Sequence, residues 1–271
     1  MQVWRETCRR HRHIAELLAG LLMAATMFDV AVAGEIVDIQ LVIAADVSTS
    51  MDAEEKALQQ RGFVEAFRRP EIIEAIAAGR TGRIAVTYVE WGGDGQRRLV
   101  IPWTIITNEM DSWLFSLKLE ESSPAKISRG TSISGILSYA DHLIRSSGYE
   151  ATRSLINISG DGVNNKGRDV MPVRAGVLAR GITINALPIV YGGLPGNEEE
   201  AISPENLLAY FRSEVIGGPG AFAEPVAAPE EYSPAIYRKL LREISSMSEI
   251  AAVGVRPGIA ALWRAIVTTP D

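Results

Sequence analysis

Soft metal ligands and reactive nucleophiles are scarce in this chain. Its 271 residues include one cysteine and three histidines, and Cys8, His11 and His13 all fall in the first thirteen positions. A single thiol forms no internal disulfide, and this inventory leaves no set of Cys and His ligands for a structural zinc. An excess of positive charge is also missing: 27 Lys and Arg stand against 33 Asp and Glu, a net charge of -6. That balance argues against nucleic acid as the main partner, because phosphate binding needs clustered cations that shed counterions. Contents of 47% hydrophobic and 22% charged residues are those of a globular domain, which excludes disorder, collagen-like repeats and coiled coil.

What is present at the start is a leader pattern. Arg5, Arg9, Arg10 and Arg12 precede an uncharged apolar run at residues 17–28, and Ala31-Val32-Ala33 has the small-x-small form of a cleavage site. Twelve apolar residues are too few to span a bilayer comfortably. Residues 1–33 are therefore expected to be a signal peptide, with the protein periplasmic or secreted. Cys8 lies ahead of the apolar run, where a lipid-attachment cysteine would not stand. Cleavage after Ala33 removes four of the 27 basic and three of the 33 acidic residues, leaving 23 and 30, a charge of -7. It also leaves His142 as the sole histidine and no cysteine. A Cys nucleophile is then impossible, and a Ser-His-Asp triad would have to recruit a histidine from within a periodic helix.

Beyond the leader, strands and helices alternate. Residues 39–45 form a nearly continuous apolar run, the pattern of a strand buried on both faces. Further strands are expected at 83–91, 99–106, 154–159 and 182–190, with an edge strand near 221–227. The turn Gly92-Gly93-Asp94-Gly95 joins the second and third as a hairpin. Helices are expected after Asp52, at 72–76, after Asn108, at 133–144, 169–180, 206–214 and 234–244. In the helix after Asn108, Met110, Trp113, Leu114 and Leu117 supply the apolar spacing. This alternation predicts an α/β fold with a doubly wound, mostly parallel sheet, one antiparallel edge strand and helices on both faces. We expect one domain over residues 34–245. The tail, 246–271, reads as a packed or partner-binding helix; Arg256, Pro257 and Arg264 interrupt its apolar stretch, so no membrane span is expected in the mature chain.

Chemistry gathers at the carboxyl ends of the predicted strands, where open α/β sheets bind ligands. The first strand runs into Asp46-Val47-Ser48-Thr49-Ser50. Thr131 opens another helix, and Asp161 follows a further apolar strand. Each alone also fits capping or turn hydrogen bonding. Together they offer two carboxylates and three hydroxyls on three loops. Oxygen-only ligands suit a hard cation, Mg²⁺ first, with Mn²⁺ or Ca²⁺ possible. Two carboxylates leave the ion electrophilic, and octahedral Mg²⁺ has room for an outside oxygen, for which a partner's Asp or Glu carboxylate is the favoured donor. Asp52 either caps the first helix, in a capping box with Glu55, or adds a carboxylate near the metal loop. Asn164 and Asn165 are candidates to support Asp161 by hydrogen bonds.

Asp46-Val47-Ser48-Thr49-Ser50, Thr131 and Asp161 resemble the metal-ion-dependent adhesion site of von Willebrand factor A domains. A bacterial exported branch of unknown function is the closer likeness, through Tyr88-Val89-Glu90-Trp91, Pro102-Trp103-Thr104, Ser159-Gly160-Asp161-Gly162-Val163-Asn164-Asn165 and Gly217-Gly218-Pro219-Gly220-Ala221-Phe222. The resemblance covers residues 35–244. It implies that Ser48, Ser50 and Thr131 touch the metal directly, that Asp46 and Asp161 often act through water, and that the protein binds a protein ligand and is not an enzyme. Two other readings stay open: a metal-assisted hydrolase, which lacks an evident general base, and a metal-free structural module. Nucleotide binding is disfavoured, because Asn165 replaces the second Gly and Gly167 the Ser or Thr of a phosphate loop.

Overall fold

The structure, a computed structural model, describes residues 34–125, 130–191 and 202–245. All but Gly34 belong to the second of two units, residues 35–271. The expected leader, the tail and the loop at 192–200 lie outside the described residues.

Among the described residues five strands form one sheet: β1 (Glu35–Asp46), β2 (Ile84–Trp91), β3 (Arg97–Ile106), β4 (Tyr149–Gly160) and β5 (Thr183–Pro188), in the order β3-β2-β1-β4-β5. Only β3 runs antiparallel, as the hairpin chemistry at residues 92–95 requires. Among the described residues seven α-helices flank the sheet: α1 (Ala53–Phe67), α2 (Pro70–Ala77), α3 (Glu109–Glu120), α4 (Ile133–Arg145), α5 (Val170–Leu178), α6 (Pro204–Tyr210) and α7 (Tyr232–Ile244). Alternation along β1 sends Ile39, Leu41, Ile43 and Ala45 into a core with α1, α2, α3 and α7. Val42 and Ala44 point the other way, into a core with α4, α5 and α6. Both faces are covered, which is why the central strand reads as an unbroken apolar run.

Three local expectations are corrected. Residues 221–227 form no strand; the segment touches β5 and its continuation through isolated bridges, Ala186 with Ala223 and Ile189 with Val226. Pro225 sits between these bridges and carries no N–H for a ladder. The helix expected at 206–214 begins earlier, at Pro204 under a Ser203 cap, and turns π-helical at Phe211–Val215. On α3 the apolar spacing marks the wrong face. Met110, Trp113 and Leu114 are exposed, whereas Ser112, Phe115, Ser116 and Leu119 are buried. Small serines let α3 approach α1 closely: Ser112 Oγ donates to the Phe67 carbonyl at 2.6 Å, and the Phe115 and Phe67 rings lie 4.6 Å apart.

β1 and β4 are adjacent and parallel, with Ala44 opposite Ile158. Their carboxyl ends therefore open side by side, and here the strand order reverses, β2 lying on one side of β1 and β4 on the other. Such switch points are where open α/β sheets leave a crevice for a ligand.

Candidate functional site

Asp46 ends β1 with no solvent exposure. Its Oδ1 accepts from Ser48 N at 2.8 Å, a turn that lifts the chain out of strand alternation. Ser48 and Ser50 Oγ atoms share a hydrogen bond of 2.9 Å, and Ser50 Oγ donates to Asp161 Oδ1 at 2.8 Å. Asp161 stands directly after β4, so the contact spans 111 residues of chain across the crevice. Thr131, buried two residues before α4, joins this rim through the loop after β4. Thr131 N donates to Asn165 Oδ1 at 2.8 Å and Asn165 N to the Thr131 carbonyl at 2.9 Å. Ser132 N binds the Gly92 carbonyl at 2.9 Å and so fastens the same loop to the end of β2. Ser48, Ser50 and Asp161 are thus directly linked, Asp46 adjoins them through Ser48, and Thr131 is tied to the loop that carries Asp161.

The remaining oxygen of Asp46 is the anomaly. Oδ2 is buried and has no hydrogen-bond partner. Two glycines leave space around these groups. A Cβ at Gly160 would lie 3.2 Å from Asp46 Oδ2, and one at Gly162 would lie 3.5 Å from Thr131 Oγ1. Burial pushes the Asp46 carboxyl up to about 8, and the negative charge of Asp161 adds to the shift. Asp161 is also raised, chiefly by burial, against the Ser50 hydrogen bond and the charge of Lys56, which lower it. Half-buried Lys56 makes no ion pair with either carboxylate. Among the described residues neither carboxylate has an ion-pair partner, although the charge of Lys56 reaches both.

Other buried acids are treated differently. Glu90 pairs with Arg98 at 2.8 Å, Asp141 with Arg180 at 2.5 Å, and Glu243 with Lys239 at 2.5 Å. Asp38 fills both oxygens with the Thr81 N–H. Of these buried carboxylates, Asp46 alone leaves an oxygen sealed from water and unbonded.

The supporting residues have mixed positions. Asp52 is exposed and caps α1, accepting from Glu54 N and Glu55 N while Glu55 Oε2 accepts from Asp52 N at 2.8 Å. Asn164 and Asn165 do not bond the Asp161 side chain. They join the two loops instead, Asn164 Oδ1 accepting from Ser134 N at 3.0 Å and Asn165 serving Thr131. Gln59 escaped the sequence reading: buried on α1, it donates to the Asp46 carbonyl at 2.9 Å and accepts from Ser159 Oγ at 2.5 Å. Its signal was a polar residue on the stripe of Phe63, Ala66 and Phe67. Trp91, at the end of β2, is buried and donates from Nε1 to the Ala44 carbonyl at 3.2 Å, walling the site from below. His142 lies exposed on α4 and touches none of these groups.

Among the described residues no group of three or more His, Cys, Asp or Glu is placed to hold a metal. The rim carries only two carboxylates, and its other oxygens are hydroxyls. An unbonded buried carboxylate oxygen, two raised acids and neighbouring hydroxyls form a donor set into which a hard cation fits. Among the described residues no helix is long and apolar enough to cross a membrane.

The fold is shared with several solved structures. Proximal thread matrix protein 1 from the mussel byssus is 14% identical with a TM-score of 0.54, over 79% of this chain and 49% of that one. Another structure of the same mussel protein, with a zinc-occupied MIDAS motif, has a TM-score of 0.50 at 12% identity over 77% and 46%. The pilus adhesin SpaC from Lactobacillus rhamnosus GG is 10% identical with a TM-score of 0.54, over 78% and 32%. A von Willebrand factor type A protein from Catenulispora acidiphila is 14% identical with a TM-score of 0.52, over 77% and 43%. This chain spans about a third to a half of the length of these four, and the likeness establishes a von Willebrand factor A-like fold. No curated protein sequence matches it. The profile of a family described as protein of unknown function (DUF1194) matches residues 36–248, and the chain belongs to that family.

Proposed function

We propose that this protein is an exported module that binds a partner protein through a divalent metal ion. Asp46, Ser48, Ser50, Thr131 and Asp161 would hold the ion, Mg²⁺ by their oxygen chemistry, with Mn²⁺ or Ca²⁺ as substitutes. The bound ion would supply a Lewis-acidic position for an Asp or Glu carboxylate of the partner. Asn165 and Gln59 would act on the site by keeping Thr131 and the end of β1 in place. Zinc in the MIDAS motif of the mussel protein, and the adhesin among proteins of like fold, are in keeping with this reading. The observation that carries it is Asp46 Oδ2, buried and unbonded beside a second raised carboxylate. Ionising Asp46 in the metal-free fold costs several kcal/mol, and a cation from solution offsets that cost. Export rests on the leader pattern and places the mature chain, cut near Ala33, in the periplasm or outside the cell.

Titration calorimetry on the mature chain tests the metal. Wild type is expected to bind Mg²⁺ with proton release, since Asp46 must ionise, and Asp46→Ala to bind at least tenfold more weakly. Absence of Mg²⁺ binding by folded wild type, or equal binding by the variant, overturns the proposal.

A further inference from the structure

Beside the rim, the outer face of α4 floors a cleft of about 800 Å³. The β2–β3 turn closes one side with Asp94 and Arg97, and the loop of Gly167 and Arg168 closes the other. Among the described residues neither arginine pairs with a carboxylate. The Arg97 guanidinium lies 4.4 Å from the Tyr139 ring centre, and Arg168 donates to Ser138 Oγ at 2.8 Å. His142 also lines the cleft. Ser134, 1% exposed, lines the cleft with an Oγ that bonds nothing. Gly167 sits over it with φ +80, and a Cβ there would lie 3.2 Å from Ser134 Oγ and 2.7 Å from Ser132 Oγ.

The negative groups nearby are few and mostly engaged. Asp94 is the one carboxylate lining the cleft. Asp169 accepts from Met171 N as the cap of α5. Asp141 is saturated by Arg145 and Arg180 in an adjoining cleft of about 510 Å³ that shares Ser138 and Arg168. In a chain of net charge -6, two uncommitted arginines along one groove are a local reversal of sign.

We propose that this groove is a subsite for an acidic, extended peptide segment, the part of the partner that flanks the carboxylate reaching the metal; it rests on the metal reading only for that continuity. From Ser134 to His142 the helix face runs about 12 Å, the length of roughly four extended residues. Ser134 follows Thr131 by three residues, so their Cα atoms are at most about 11 Å apart. One peptide can therefore lie on both sites. Guanidinium groups match carboxylates by paired hydrogen bonds.

The probe is a fluorescent pentaglutamate peptide, with anisotropy read at low salt on the mature full chain, in chelator and in Mg²⁺. Wild type binds in chelator, the exposed double change Arg97→Gln with Arg168→Gln weakens binding at least tenfold, and Asp94→Asn tightens it severalfold. Pentaglutamine does not bind. No binding by wild type in chelator, unchanged affinity in the double variant, equal capture of pentaglutamine, or binding of a sulfated polysaccharide alone overturns the subsite. The two proposals fail separately. If Asp46→Ala binds like wild type and Mg²⁺ adds nothing, the metal reading falls and the subsite stands. If capture needs Mg²⁺ and Asp46 but ignores Arg97 and Arg168, the subsite falls and the metal reading stands.

Discussion

Glu243 and Asp46 are both buried acids packed against the same sheet, and the chain handles them in opposite ways. Glu243 on α7 receives Lys239 Nζ at 2.5 Å, Asn185 Nδ2 at 3.0 Å and Asn157 Nδ2 at 2.7 Å. Asn185 in turn accepts from Phe222 N at 3.1 Å, extending the network into the loop beside β5. Asp161, directly after β4 and four residues beyond Asn157, stands at the rim with Asp46 among hydroxyls, and among the described residues it has no ion-pair partner. The Glu243 carboxylate is thus met by the chain on both oxygens, although Asn157 Oδ1 beside it is buried without a partner. The rim around Asp46 leaves one carboxylate oxygen unmet by the chain, which on the proposed reading a cation from solution completes.

The comparison breaks most visibly through Lys239→Met. Leaving Glu243 uncompensated is expected to cost about 3–5 kcal/mol in urea unfolding. Asp46→Asn, in chelator at pH 8, should have the opposite sign and raise the midpoint, because it deletes an unpaired anion. A loss of similar size from both substitutions would show that the rim is closed by its own chain.

A second, smaller effect is pH dependence. The Asp46 carboxyl is raised in the fold by burial and by Asp161, so the folded state holds a proton that the unfolded chain gives up near pH 4. Metal-free stability should therefore fall as pH rises from about 4 to about 8. Relative to Asp46→Asn, wild type should lose about 1–2 kcal/mol between pH 6 and 8, and Mg²⁺ should cancel the loss. A flat difference across this window would contradict the assigned shift.

Smaller still is the contribution of the loop tie. Asn165→Ala removes the acceptor of Thr131 N and is expected to cost roughly 1 kcal/mol of stability. If Thr131 helps to hold the ion, the same change should weaken Mg²⁺ binding severalfold, while Asn164→Ala, one bond further away, weakens it less. Calorimetry on both variants ranks them.

Much of this arrangement was legible in the order of residues. Asp46, Ser48 and Ser50 stand out because they follow a buried strand and release it into a turn. The Asp52–Glu55 box and the Asn108 cap also follow from neighbours a few positions apart, and the structure has both. Less legible was α3, where two faces compete and the serine face wins through contacts to Phe67 and Arg68. The bridges at Ala223 and Val226 similarly depend on Pro225 and on what β5 offers. Gln59 was hidden for the same reason: its partners, Asp46 and Ser159, lie 13 and 100 residues away.

Periodicity, caps and turns depend on near neighbours, so the alternating α/β plan and an inventory poor in soft ligands but rich in strand-end oxygens could be read along the chain. Whether a given oxygen is satisfied depends on packing instead. β1 had to lie beside β4 before Ser50 could reach Asp161 across 111 residues, and only that closure stripped water from Asp46 Oδ2 without supplying a replacement. Electrostatic need of this kind arises from desolvation, which no stretch of sequence possesses until the rest of the molecule is folded around it.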